Sequence, residues 1–147
     1  ATINRYVEQV DYLDNKIMCI SYYGTYIFDR HLSGEYWEEH SVGYKVYYKN
    51  TLKEVEVSDF IVNSTAFIRA FNEKANEFNR NANDELTYFP PIESLYDLNY
   101  IIFTFTSNRK LIFLVNNESY VFSQIEFTFD ELKPFIKDGS PLEYLFY

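Results

Sequence analysis

A chain of 147 residues with a single cysteine, Cys19, has no intrachain disulfide framework. Its four glycines are scattered and match neither GxGxxG nor the P-loop, the patterns whose successive backbone N–H groups cradle phosphate. Four glycines and four prolines also leave no composition for a long flexible linker. No apolar run reaches the roughly 20 residues needed to cross a bilayer, and the amino terminus lacks a basic region followed by a hydrophobic stretch. The expectation is a cytoplasmic protein with no membrane role.

Positive charge is also scarce. Lys and Arg number 13 against 22 Asp and Glu, giving a net charge of −9 and a pI near 4.7. Gripping a phosphate backbone requires clustered cations. None exists here, so direct nucleic-acid binding is not expected, and an anionic membrane would repel the chain. From Asn81 to Asn108 there are four acids and no Lys or Arg. The simplest reading of this surplus is solvating charge; the functional one is a field that attracts a basic partner.

Reactive chemistry is equally thin. There is no GxSxG and no HExxH, and only two histidines are present to serve as a base. Cys19 falls within the apolar run IMCISYYGTYIF, which predicts a buried, inert thiol. No catalytic residue and no cofactor is assigned.

Aromatics are plentiful, with 15 Tyr and 14 Phe in a chain that is 47 % hydrophobic. That load is ample for the core of one domain. In TINRYVEQVDYLDN, residues Ile3, Tyr6, Val7, Val10 and Leu13 share a helical face, predicting a short amino-terminal helix capped by Thr2. Residues 17–28 read as a strand, with Gly24 a candidate bulge. A hairpin turning at Asn50–Thr51 sets Val46 opposite Val55, Tyr44 opposite Val57, Lys45 opposite Glu56 and Tyr47 opposite Glu54. From Ser58 the period becomes helical. Phe60, Ile61, Phe67, Ile68, Phe71, Ala75 and Phe78 oppose Arg69, Asn72, Glu73, Asn76 and Glu77. Ser58 or Ser64 caps this helix, and the asparagines around Asn79 to Asn83 end it.

FPPIESLYDL reads as a loop with one helical turn, because its two prolines forbid a strand. Three strands follow in YIIFTFT, LIFLVN and YVFSQIEFTF. A turn at Asn116–Asn117 would set Ile112 opposite Val121 and Phe113 opposite Tyr120. Leu111 to Val115 is apolar on both faces, which predicts a central, doubly covered strand. Asp130 opens a short helical turn. The fold expected is therefore a single α+β domain. Its antiparallel sheet of about six strands, arranged as two meanders, packs on one long amphipathic helix at about 59–80, beside the short amino-terminal helix.

The decapeptide HLSGEYWEEH, residues 31–40, holds both histidines and the only tryptophan. A turn at Ser33–Gly34 would pair Leu32 with Glu35, His31 with Tyr36 and Arg30 with Trp37. A metal-dependent enzyme would use His31, Glu35, Glu38, Glu39 and His40. The two histidines do not face each other across that turn, however, and no metal is assigned. Glu54 and Glu56 alternate with Val55 and Val57, which predicts a solvent side rather than acid–base work.

An interface reading remains, built from Glu35, Tyr36, Trp37, Glu38, Glu39 and Tyr47. Tyr and Trp are favoured at interface centres, and acids complement a basic surface. The function expected is a non-enzymatic acidic binding protein that neutralises a basic macromolecular partner, either a toxin or a nucleic-acid-processing enzyme. The order of elements resembles that of small acidic immunity and inhibitor proteins, and the abundance of Asn, Ile, Tyr, Phe and Lys, all AT-rich codons, fits a bacterial or phage genome. The alternatives are a small-molecule binder with an aromatic pocket between helix and sheet, or the metal-dependent enzyme.

Overall fold

A computed structural model describes residues 2–30, 35–82, 88–116 and 122–147, with side chains for 9–22, 43–82, 88–99, 101–114 and 124–147. At the amino terminus the alternating pattern prevails over the helical one. Strands β1 (Thr2–Leu13), β2 (Ile17–Arg30) and β3 (Glu35–Tyr48) form one antiparallel sheet in that order. The expected amino-terminal helix is thus a strand. Thr2, Ile3, Tyr6, Val7, Val10 and Tyr12 are β-branched or aromatic, types that fit a pleated surface better than a helix. β2 then supplies the ladder partner, with Ile3 opposite Ile27 and Val7 opposite Tyr23.

The β1–β2 connection is tied by Asp14, whose Oδ1 accepts from the backbone N–H of Lys16 at 2.7 Å and of Ile17 at 2.9 Å. Gly24 stays in regular register between Tyr6 and Ser41. The bulge lies elsewhere, between Val10 and Tyr12, where Asp11 is the extra residue. A different glycine is needed for close approach. The Tyr22 ring crosses its cross-strand neighbour Gly43, where a Cβ would fall 1.9 Å from Tyr22 Cζ.

In the β2–β3 ladder Arg30 faces Glu35 and Phe28 faces Trp37, not the expected Arg30 with Trp37. A shift of two residues keeps every residue on its own face, so alternation cannot detect it. The buried end sets the register instead: Cys19 pairs with Val46 and Ile17 with Tyr48, and Lys49 N–H donates to Lys16 O at 2.9 Å. The turn residues 31–34 lie outside the described residues.

The next pairing agrees with expectation at its start. Tyr47 bridges Glu54, and Val55 N–H donates to Val46 O at 2.8 Å. It ends there. Asp59 Oδ2 accepts from Glu56 N–H at 3.0 Å and from the Tyr48 hydroxyl at 2.9 Å, turning Val57–Asp59 into a 3-10 helix. Tyr44 therefore has no pairing with Val57, and Lys45 reaches Glu54 at 3.4 Å rather than Glu56.

Helix α1 (Thr65–Asn81) begins later than position 59, because Ser64 Oγ accepts from Phe67 N–H at 3.1 Å and caps it there. Phe60 and Ile61 are buried ahead of the helix. Phe67, Phe71 and Ala75 are fully buried on its inner face. A second antiparallel sheet, β4 (Ile102–Thr106), β5 (Lys110–Asn116) and β6 (Phe122–Thr128), has β5 at its centre. Phe113 faces Ile125 and Leu111 faces Phe127, in place of the expected Phe113 with Tyr120. This register aligns the four residues that meet α1. Helix α2 (Phe129–Leu132) follows, capped by Thr128 and Glu131.

The expected six-stranded sheet is therefore two three-stranded meanders. β4 lies against all three strands of the first sheet without extending its ladder. The interior is a chain of rings. Phe71 lies 5.4 Å from Phe113 and 5.6 Å from Phe89, centroid to centroid, while Phe60 lies 5.4 Å from Phe105 and Phe129 4.8 Å from the carboxy-terminal Phe146. Each fully buried Phe contributes about 1.5–3 kcal/mol.

Asn72 and Asn79 were expected at or near the polar side of α1, yet both clamp the following loop. Asn72 exchanges two hydrogen bonds with the backbone of Ile92, each 2.8 Å, and Asn79 does the same with Phe89 at 3.0 and 2.6 Å. Asn72→Ala leaves the N–H and C=O of buried Ile92 without these partners. The expected loss is about 1–3 kcal/mol, read as a lowered urea midpoint.

Candidate functional site

Five of the six expected contact residues follow one another along β3. Glu35 faces Arg30, Tyr36 faces Asp29, Trp37 faces Phe28, Glu38 faces Ile27 and Glu39 faces Tyr26. Successive strand residues alternate in face, so Glu35, Trp37 and Glu39 fall on one side of the ladder, and Tyr36 and Glu38 on the other. Tyr47 is set apart. It faces Met18 near the opposite end of β3, about 26 Å along the strand from Glu39 at ~3.3 Å per residue. The ladder thus separates what the sequence reading grouped.

β2 and β3 are each 14 residues long, whereas the strands of the second sheet have 5 to 7. The rows that carry the EYWEE stretch therefore continue the first sheet well past the length of the second. His31 lies outside the described residues, as do the side chains of Glu35, Glu38, Glu39 and His40. Among the described residues, no three of His, Cys, Asp and Glu gather as a metal site would require.

The electrostatics favour a negative surface. Lys45 pairs with Glu54, Lys74 with Glu131, Lys110 with Glu126 and Lys133 with Asp130, at 2.8 to 3.4 Å. Lys137 Nζ donates to Ser58 O and Lys49 Nζ to Asp14 O. Exposed pairs of this kind add little stability. They do neutralise the lysines locally, leaving the surplus acids to set the long-range field. Glu54 and Glu56 are exposed, with Val55 and Val57 buried between them.

The sequence reading missed a polar cluster at the β1–β2 turn. Asp14 Oδ2 accepts from the Tyr12 hydroxyl at 3.0 Å and the Tyr144 hydroxyl at 2.7 Å, while Oδ1 takes the two backbone N–H groups. Lys16 Nζ lies 4.6 Å from the Tyr144 ring centre. The DNK turn is a local signal for Asp14 as a turn residue; nothing local points to Tyr144. Burial works to raise the Asp14 carboxyl, but the hydrogen bonds outweigh it and hold the group below its ordinary value. Burial and then the bond to Asp14 push the Tyr12 phenol up to about 12, and the same causes raise Tyr144. A carboxylate with four donors has no lone pair left for proton abstraction. The cluster is a staple between the first turn and the carboxy-terminal segment.

Its pH dependence has a definite sign. The folded state keeps phenol protons that the unfolded chain releases near 10, so their stabilisation is present below pH 10 and is lost as pH rises toward 12. The lowered Asp14 carboxyl acts oppositely, stabilising above the ordinary carboxylate range and losing that effect as pH falls below it. Urea midpoints are therefore expected to fall above pH 10, and to fall less steeply in Tyr144→Phe.

Cys19 is fully buried, and burial pushes its thiol up to about 11, as an inert core cysteine requires. Among the described residues, no helix is long and apolar enough to cross a membrane. Compared with protein-family models and with curated proteins, the chain matches none.

Proposed function

We propose that this protein is a non-enzymatic acidic binding protein that covers a basic surface on a macromolecular partner. The partner is a toxin or a nucleic-acid-processing enzyme whose Lys and Arg otherwise meet phosphate. One observation carries this reading: a net charge of −9 in a chain whose lysines are so largely tied to its own carboxylates and carbonyls. The field left over is negative and steers basic surfaces toward contact.

The end of the first sheet that carries Glu35 to Glu39 is the contact we assign, with Trp37 and Tyr36 as anchors and the glutamates as steering charges. Tyr47 falls outside that contact, because the ladder places it at the far end of β3. The space between α1 and the second sheet, where an aromatic ligand pocket is the alternative, is occupied by Phe67, Phe71, Phe113 and Phe127 in mutual contact.

The test is affinity capture from bacterial and phage-infected lysates at low and at physiological salt. A captured protein with a basic face is expected, with an association rate that falls as salt rises. Glu38→Lys with Glu39→Lys should slow association and flatten that salt dependence. A partner bound through an acidic or apolar face, at rates indifferent to salt, would refute the reading.

A further inference from the structure

Between the two sheets lies a cleft of about 290 Å³, lined by Asp11 and Tyr44 from the first sheet and Thr104, Ile112, Leu114 and Gln124 from the second. Asp11 enters it because of the β1 bulge. As the extra residue between Val10 and Tyr12, it departs from the strand's alternation. Its Oδ2 is out of contact with solvent, and no group among the described residues donates to it. A buried carboxylate oxygen without a donor is costly, and native proteins keep few of them. Thr104, the one buried polar residue among those described, stands in the same cleft. We propose that this cleft binds a primary alkylammonium group, with the ammonium on Asp11 Oδ2 and the alkyl stem along Ile112 and Leu114.

The lining chooses among cations. Calcium takes six to eight oxygen ligands and magnesium a near-octahedral set, whereas this cleft offers one carboxylate amid hydroxyls and hydrocarbon. A guanidinium is best matched by two carboxylate oxygens in a fork. An ammonium is a compact charge with three donors, and it suits one aimed carboxylate oxygen beside the hydroxyls of Thr104 and Tyr44. Tyr44 stays a neutral hydroxyl, because burial, and then the charge of Asp11, push its phenol up. The side-chain amide N–H of Gln124 is already given to Glu126 at 3.0 Å, which leaves its carbonyl oxygen free to accept. No Lys or Arg lines the cleft. At this volume it lies just under the range of pockets for drug-sized ligands, roughly 300–1,000 Å³, and admits a single unbranched chain.

The ammonium can come from a free alkylamine or from a lysine side chain presented by another protein, and the test separates these sources. The full chain is titrated with butylammonium chloride, with sodium chloride at equal ionic strength and with neutral 1-butanol, following backbone amides by NMR. Saturable shifts at Thr104, Tyr44 and Gln124 are expected with butylammonium alone, at least about tenfold weaker in Asp11→Asn because one charge-assisted hydrogen bond is lost. Binding of butylammonium in preference to an acetyl-Gly-Lys-Gly-amide peptide assigns the free amine. The reverse preference, abolished by acetylating that lysine's Nε, assigns a protein lysine.

A second variant guards against a folding defect in Asp11→Asn. Gln124→Lys places a tethered ammonium at the cleft and should raise the melting temperature while blocking butylammonium. Absence of saturable shifts with both probes, equal binding of 1-butanol, or unchanged affinity in a folded Asp11→Asn overturns the proposal. Charge reversal at Glu38 and Glu39 leaves all these readouts unchanged, so failure here is distinct from failure of the partner-binding reading.

Discussion

Phe71→Ala should lower the free energy of unfolding by about 3–5 kcal/mol, the largest stability effect expected of any single change in this protein. Phe71 is fully buried on the inner face of α1, and its ring centre lies within 6.5 Å of those of Phe67, Phe89, Phe113 and Phe127. These neighbours come from the helix, the following loop, β5 and β6. Truncation therefore removes the transfer free energy of one aromatic ring and leaves a cavity where three segments meet. The rings around it are themselves held by further rings, which limits collapse into the space. Equilibrium urea unfolding at neutral pH checks this. Phe71→Leu should lose distinctly less, since most of the volume stays filled. An unchanged midpoint in Phe71→Ala would show that the helix stripe is not the core.

Trp37→Ala should weaken binding of the captured partner by at least ~2 kcal/mol, expressed mainly as faster dissociation. The reasoning joins position to residue type. Trp37 stands between Tyr36 and the Glu38–Glu39 pair, opposite Phe28, in the part of the first sheet that runs past the length of the second. A large aromatic ring surrounded by steering charge fits the usual composition of a binding hot spot. Removing the ring and reversing the charges should separate kinetically, the first acting on dissociation and the second on association. Because Trp37 faces Phe28 across the ladder, circular dichroism and the urea midpoint of each variant must accompany the rates. Folded variants that bind at wild-type rates at both low and physiological salt would place the contact elsewhere.

The local record in the sequence was enough for several features. The three- and four-residue spacing of Phe67, Phe71 and Ala75 specifies the buried face of α1, and the run around Leu111 to Val115 specifies a central strand, because both patterns state burial directly. Cys19 in its apolar run reads correctly as a core thiol. Matching Val46 to Val55 and Tyr47 to Glu54 works because a short hairpin couples neighbours through only a few intervening residues. The acidic surplus is likewise a property of composition alone.

Tertiary structure decided the rest. The amino-terminal segment satisfies a helical spacing and a strand composition at once, and only the presence of β2 beside it makes the strand the lower state. A two-residue slip between β2 and β3 preserves every face, so no pattern within either strand can detect it. The β5–β6 register depends on which residues meet α1. Asn72 and Asn79 look like solvent-facing helix residues until the loop carrying Phe89 and Ile92 arrives to take their hydrogen bonds. Tyr144 joins Asp14 across a separation of 130 residues, and Asp11 turns inward only because the first strand bulges there. Periodicity records whether a residue is buried; it carries no record of the partner that buries it, since that partner comes from a distant part of the chain.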